Sequence, residues 1–205
     1  MARDLAPIVK RSRREGIALH PKAIKGMTKR PYGPGEHGQG GRRSKPSQYA
    51  IQLREKQKVK RIYGLLEKQF AKLVYHATNM AGVAGENMLQ LLELRLDNAV
   101  YRLGWAPSRQ SARQLVTHGH VLLNDRRVDI PSIKLAPGDE LSIRPKSAQN
   151  AYFQALAADK NRNQASVGWL SQNASKLTAK VTGLPSRDDA EAEIQEQLII
   201  EFYSR

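Results

Sequence analysis

Apolar positions recur every three or four residues through the middle of the chain: Leu66, Phe70, Val74 and Ala77, then Leu89, Leu92, Leu96, Ala99 and Leu103. At about 3.6 residues per turn this spacing puts each set on one helix face, so it predicts two packed helices parted by Ala81–Glu86. An earlier helix is predicted to start at Ser47, a residue type that caps free backbone amides, and to carry Ala50, Leu53, Ile62 and Tyr63 through QLREKQKVKRIYG until Gly64 interrupts. Beyond Leu103–Gly104, Ser108 follows Pro107 and opens SRQSARQLVTHG, whose apolar stripe is Ala112, Leu115 and Val116.

After Gly119 the period changes to two. Val121–Leu123 reads as a strand, Asn124-Asp125 as a tight turn and Arg127–Asp129 as the returning strand. Pro137-Gly138-Asp139 makes a second turn into Glu140–Arg144, where Leu141 and Ile143 alternate with polar neighbours. Further on, Ala151–Ala158 reads as helix, Gly168-Trp169-Leu170 as at least partly buried, and Leu177–Val181 as a strand. A final helix carries Ile194, Leu198 and Phe202; Asp188, Asp189, Glu191 and Glu193 at its start and Arg205 at its end suit the helix dipole. Residues 1–46 show little sustained period, hold Pro7, Pro21, Pro31, Pro34 and Pro46 with GPGEHGQGG, and read as an extended arm.

These patterns predict an α+β fold: a helical domain, a module of two helices and an antiparallel β-hairpin or sheet, and an extended basic N-terminal arm. The expected division is 1–46 for the arm, 47–94 for the helical domain completed by a C-terminal helix 188–205, and 95–187 for an α/β domain that contains the module at 95–147.

Charge sharpens this picture. The chain of 205 residues has 34 Lys+Arg against 19 Asp+Glu, a net +15, which favours a polyanionic partner. The distribution is steep: residues 1–60 hold 16 Lys+Arg and 4 Asp+Glu, residues 61–147 hold 12 and 8, and residues 148–205 hold 6 and 7. Phosphates could neutralise Arg11, Arg13 and Arg14 and the later cations of the arm. Arg54, Lys58 and Arg61, four and three apart, share a helix face, either as a solvated charged face or as RNA contacts. Arg109 and Arg113, four apart, emerge together opposite the apolar stripe, with Gln110, Gln114 and Thr117 nearby. Two forked guanidiniums one turn apart can grip adjacent phosphates, or a phosphate and a base edge. The hairpin would add His118, Arg126 and Arg127, and the module opens with a further cation, Arg95.

Scans for other chemistry are largely negative. Zero cysteines exclude disulfides, thiolate nucleophiles and cysteine-ligated zinc. His118 and His120 lack a placed third ligand, so no metal or other cofactor is expected. GPGEHGQGG lacks the Lys-Ser/Thr ending of a nucleotide loop. No motif sets a base beside a nucleophile, so no catalytic residue is assigned. No run reaches the roughly 18 apolar residues of a membrane span, and no signal or transit segment is recognised, so cytoplasmic residence is expected.

Taken along nearly its whole length, the chain resembles the bacterial small-subunit ribosomal protein family numbered four. The resemblance rests on SRREG at Ser12–Gly16, YGPGEHGQ at Tyr32–Gln39, QLREKQKVKRIYG at Gln52–Gly64, RLDNAVYRLG at Arg95–Gly104, SRQSARQLV at Ser108–Val116, and the terminal EFYSR. The helix-hairpin module also occurs in pseudouridine synthases, tyrosyl-tRNA synthetases and a heat-shock RNA binder; the arm and the LREKQK helix are more specific. The resemblance implies a primary binder of the five-prime domain of small-subunit ribosomal RNA that nucleates assembly. It implies contact with the neighbouring ribosomal protein numbered five, which influences decoding accuracy, and a basic arm lining the channel by which messenger RNA enters. The messenger contacts expected here are Arg42, Arg43 and Lys45. No membrane partner is implied, and the protein would be a monomer within the ribosome. Some relatives hold the arm with a four-cysteine zinc site; this chain has Val9 and Ser12 where two ligands would fall and resembles the zinc-free branch, so Arg11–Lys45 is expected to be mobile until RNA binds.

Three function classes compete. A ribosomal RNA-binding protein accounts for the arm, the charge gradient and the module. An RNA-modifying or RNA-ligating enzyme would need a catalytic domain for which too little chain remains. A DNA-compacting basic protein explains charge but not the hairpin. On the ribosomal reading, Arg109→Ala or Arg113→Ala is expected to cost about 1–3 kcal/mol of RNA affinity per specific contact.

Overall fold

The computed structural model describes residues 6–39, 45–158, 167–173 and 176–204. Among these residues the helices are α1 (Ile8–Glu15), α2 (Pro21–Lys29), α3 (Gln48–Ile62), α4 (Glu67–Thr78), α5 (Ala84–Glu93), α6 (Leu96–Arg102), α7 (Arg109–Thr117), α8 (Pro145–Ala148), α9 (Ala151–Ala158) and α10 (Glu196–Tyr203). The strands are β1 (Val121–Leu123), β2 (Arg126–Val128), β3 (Glu140–Ile143), β4 (Leu170–Asn173) and β5 (Thr178–Val181). The fold is α+β, and it divides into two compact units, residues 1–85 with 193–205, and residues 86–192.

In the first unit, the segment expected to be an extended arm forms α1 and α2 instead. Two of the prolines that read as breakers start these helices: Pro7 is the N-cap of α1, and Pro21 is the first residue of α2, where its missing N–H costs nothing. The His20 ring caps α2 by accepting from the Lys22 N–H at 3.0 Å. Ser12 is fully buried; its hydroxyl donates to the Ile8 carbonyl and accepts from the Leu19 N–H, while Val9 packs against Gly26. A hydroxyl and an isopropyl group therefore tie α1 to Leu19 and to α2. Ser47 caps α3 through the Ala50 N–H, and α3 ends before Gly64 at φ 64°. Phe70, Val74 and Ala77 of α4, with Val59 and Ile62 of α3 and Ile194 and Ile199 near or on α10, are buried. Full burial of one such aliphatic or aromatic side chain contributes about 1.5–3 kcal/mol.

The second unit is a five-stranded antiparallel sheet in the order β2-β1-β3-β5-β4, covered by helices. Val121 pairs with Val128 on one side and Ile143 on the other, which keeps the apolar positions of β1 and β3 on the core face. Leu96, Ala99 and Val100 of α6, Leu103 just after it, and Ala112 and Val116 of α7 meet Val121, Leu141 and Trp105 there.

The stripe from Leu89 to Leu103 predicted one helix, but the chain breaks at Leu94–Arg95. Arg95 is extended, and Leu94 and Leu96 exchange hydrogen bonds with Leu135 and Ile133, so a strand-like contact interrupts the periodic face. The final helix is also shorter than expected. Asp188 and Asp189 lie in a 3-10 turn capped by Ser186, whose N–H and hydroxyl both donate to the Asp189 carboxylate; Ala190 is extended, and α10 begins only at Glu196. β4 was not anticipated beyond the burial of Trp169 and Leu170.

Candidate RNA interface

The module at the start of the second unit is built on two buried carboxylates. Glu93, fully buried, receives two hydrogen bonds from Arg102 at 2.9 and 2.8 Å and one from the Asn98 amide at 2.8 Å. Asp97 receives Arg95 through two nitrogens at 3.1 and 3.0 Å and Arg113 at 2.9 Å. Arg109 donates to Asn98 Oδ1 at 2.8 Å and to Glu191 at 2.7 Å, and its guanidinium lies over the Tyr101 ring. Burial works to raise the Glu191 carboxyl, but Arg109 and Arg102 beside it hold it below its ordinary value.

The two arginines predicted to grip RNA as a pair thus each have a carboxylate partner, and their side chains are 16% and 30% exposed. Arg95 is more enclosed, at 9%. Gln114, on the same helix, is exposed.

A different set of cations has no such partner among the described residues. Asn124 and Asp125, at φ 49° and 61°, form the tight turn between β1 and β2, and Asn124 is fixed by Asp139 and the Glu140 N–H. This turn exposes Arg126 and Arg127; neither makes an ion pair among the described residues. His118, also exposed, lies 6.0 Å from His120, ring to ring. Arg144 and Lys146, just past β3, have no ion pair among the described residues either, and sequence reading did not single them out because they terminate a strand pattern rather than form a motif.

In the first unit the same contrast holds. Glu15, its side chain 1% exposed, is bridged by Arg54 at 3.2 Å and by Arg61. Burial pushes its carboxyl above the ordinary value, against the pull of Arg54, Arg61, Arg14 and Lys58. Lys58 pairs with Glu55 and donates to the Glu193 carbonyl. The Arg54–Lys58–Arg61 face therefore turns toward carboxylates and a carbonyl. Arg13 is spent on the carbonyls of Tyr32 and Gly33, both at 3.0 Å, with its guanidinium over the Tyr32 ring. Arg11 is partly buried, and burial and nearby Arg61 lower its pKa. Arg14, Lys22, Lys25, Lys29, Arg30 and Lys45 are exposed. Arg42 and Arg43 lie outside the described residues.

Among the described residues no three His, Asp or Glu side chains come together as a metal site, and no helix is long and apolar enough to cross a membrane. What the arrangement offers is fixed, outward-facing positive charge on two scaffolds, each held in shape by internal ion pairs.

Comparison with known proteins matches residues 3–93 to the ribosomal protein S4/S9 N-terminal domain and residues 94–141 to the S4 domain. The chain is 51% identical over 211 residues to the small ribosomal subunit protein uS4 of Clostridioides difficile, with both sequences covered in full. It is 48% identical over 207 residues to the protein of that name from Chloroflexus aurantiacus, and 47% over 205 residues to that from Chlorobium phaeovibrioides, again across both lengths.

Proposed function

Because the chain belongs to the ribosomal protein S4 family, RNA-binding structural constituents of the small ribosomal subunit rather than enzymes, we propose that it is a primary binder of the five-prime domain of small-subunit ribosomal RNA. In that role it nucleates assembly of the domain as a monomer in the cytoplasmic ribosome. The observation that carries this reading is the sorting of charge: internal arginines are matched to carboxylates, while Arg126, Arg127 and His118 on the hairpin side and Lys22 and Lys25 on the basic segment are exposed and make no ion pair among the described residues.

Direct phosphate contacts then fall first to the unmatched set. Arg109 and Arg113 join them by exchanging Glu191 and Asp97 for phosphate, and Gln114 adds a neutral hydrogen bond. Arg95, Arg54, Lys58, Arg61, Arg11 and Arg13 hold the surfaces that present these groups and reach RNA at their edges. Exposed Lys45, with Arg42 and Arg43, lines the channel by which messenger RNA enters. Contact with neighbouring ribosomal protein five, through which decoding accuracy is tuned, is supported by exposed Tyr49 and Ile51 on α3 beside a cavity of about 450 Å³ lined by Gln52, Gln197, Ile200, Glu201 and Ser204. The buried Gln52 Oε1 has no hydrogen-bond partner among the described residues, a site of the kind that a donor from a protein neighbour fills.

The test is a footprint of the purified protein alone on small-subunit ribosomal RNA. Protection confined to a junction in the five-prime domain, resistant to competition by unrelated RNA and duplex DNA at moderate salt, is expected. Equal competition by duplex DNA would overturn the proposal.

A further inference from the structure

The end of the sheet formed by β1, β2 and β3 gathers several groups that carry or can take positive charge. His120 immediately precedes β1, and its carbonyl accepts from the Arg144 N–H at 2.9 Å just beyond β3. On the other side of β1, Arg127 pairs with Leu122, and its guanidinium lies directly against Gly119: a Cβ added there would meet Arg127 Nε at 2.3 Å. A side chain there would displace the guanidinium, and the φ of 68° favours glycine. Side chains alternate along a strand, so His120, Leu122, Arg127 and Arg144 belong to one face.

The His120 ring is held in a fixed orientation. Its Nδ1 is 2.9 Å from the buried Ser147 hydroxyl of α8, and Phe153 of α9 packs 5.7 Å from it, centroid to centroid. The ring can therefore address a ligand through Nε2, which carries a hydrogen whenever Ser147 donates to Nδ1 and whenever the ring is protonated. The charged groups facing His120 are His118 on its own loop, Arg127 from β2 and Arg144 beyond β3; α8 and α9 contribute Ser147 and Phe153. Among the described residues no carboxylate is one of them.

We infer that His120, Arg127 and Arg144 form a phosphate site in which His120 makes binding depend on proton uptake. The occupant is a backbone phosphodiester of RNA, so the inference rests on the proposed ribosomal-RNA binding and adds a site and a pH dependence to it. Burial lowers the His120 pKa first, and His118, Arg127 and Arg144 lower it further, so without ligand the ring gives up its proton more readily than an ordinary histidine. A phosphate removes the repulsion and supplies an opposite charge, which raises that pKa. The bound form then takes up a proton, and affinity grows as pH falls from about 7.5 to 6.

The test uses the full chain. Imidazole NMR signals are followed while sodium phosphate is added against sodium chloride at equal ionic strength, and affinity for a ribosomal RNA fragment is measured at pH 6 and 7.5. Phosphate, and not chloride, should move the His120 signals and raise its pKa. RNA affinity should be roughly three- to tenfold higher at pH 6, tenfold corresponding to one unit of pKa change. His120→Gln should flatten that difference, and Arg144→Gln should weaken the phosphate response. Persistence of the pH difference in His120→Gln, or equal responses to chloride and phosphate, would overturn the site. Failure to bind ribosomal RNA at any pH would overturn the ribosomal reading instead, and the phosphate titration would judge the site alone.

Discussion

Replacing Glu67 by Gln is expected to destabilise the helical unit by about 1–2 kcal/mol at pH 7. Glu67 stands at the start of α4 and gathers three donors: Lys56 at 2.7 Å, Lys60 at 2.9 Å and the Tyr203 hydroxyl of α10 at 2.8 Å. Lys56, only 7% exposed, also lies 4.5 Å from the Phe202 ring, so its charge is enclosed by aromatic surface and depends on this carboxylate. Burial works to raise the Glu67 carboxyl, but hydrogen bonds from Lys56, Lys60 and Tyr203 outweigh it and bring the pKa from 4.5 to about 2. At face value that interval is worth about 3.4 kcal/mol. Glu67 is 47% exposed, and solvent screening reduces the figure to the range stated.

A depressed carboxyl pKa stabilises the fold fully above the unfolded value. The contribution is lost as pH falls from about 4.5 to about 2. Urea unfolding followed by helical circular dichroism at pH 7, 4 and 2.5 should therefore show the Glu67→Gln deficit shrinking with acid. Adding Lys56→Met should recover part of it at pH 7 by removing the stranded cation. A variant within about 0.3 kcal/mol of the parent at pH 7, or a deficit equal at pH 7 and 2.5, would refute the reasoning.

Other expected outcomes address the second unit. Arg102→Ala strips two hydrogen bonds from the buried Glu93 carboxylate and should cost about 3–5 kcal/mol, read as a lower thermal midpoint by fluorescence of Trp105 in the same unit; an unchanged midpoint counts against the buried pair. Arg126→Ala and Arg127→Ala should each weaken RNA binding by about 1–3 kcal/mol and reduce the salt slope by about one, and an unaltered slope would mean that neither touches phosphate. Glu191→Gln should strengthen RNA binding at low salt by about 0.5–1 kcal/mol if Arg109 exchanges partners, whereas equal affinity would make the Arg109–Glu191 pair purely internal.

Signals that act over a few residues were legible in the sequence. Ser47 and Ser108 cap their helices, Gly104 closes α6 at φ 67°, and Asn124-Asp125 turns the hairpin because both adopt positive φ. Signals that depend on distant partners were not. The break at Leu94–Arg95 comes from backbone bonds to Ile133 and Leu135, while the apolar stripe runs through it without interruption. Arg109 looked free because Glu191 lies 82 residues away, and the acids before α10 looked like a helix start because their capping and pairing roles appear only in three dimensions. In the basic segment, prolines were read as breakers when Pro7 and Pro21 occupy the helix starts that tolerate them.

The place of α10 has a consequence for the order in which a nascent chain can fold. It completes the unit begun by α1–α4, yet 149 residues separate the bonded side chains of Gln52 and Glu201. Closing a flexible loop of that length carries a length-dependent entropy cost of about 4 kcal/mol. The inserted unit is continuous, and once folded it holds Gln90 against the Pro185 carbonyl at 3.5 Å, which brings back together the two strands of chain that lead out of it. Translation delivers that unit before α10, so the early helices wait as an open half-core until the insert has formed and returns the last helix to them. Slowing the insert would then leave Phe70 and Val59 uncovered for longer, and the helical unit would show a maturation time set by residues that are not part of it.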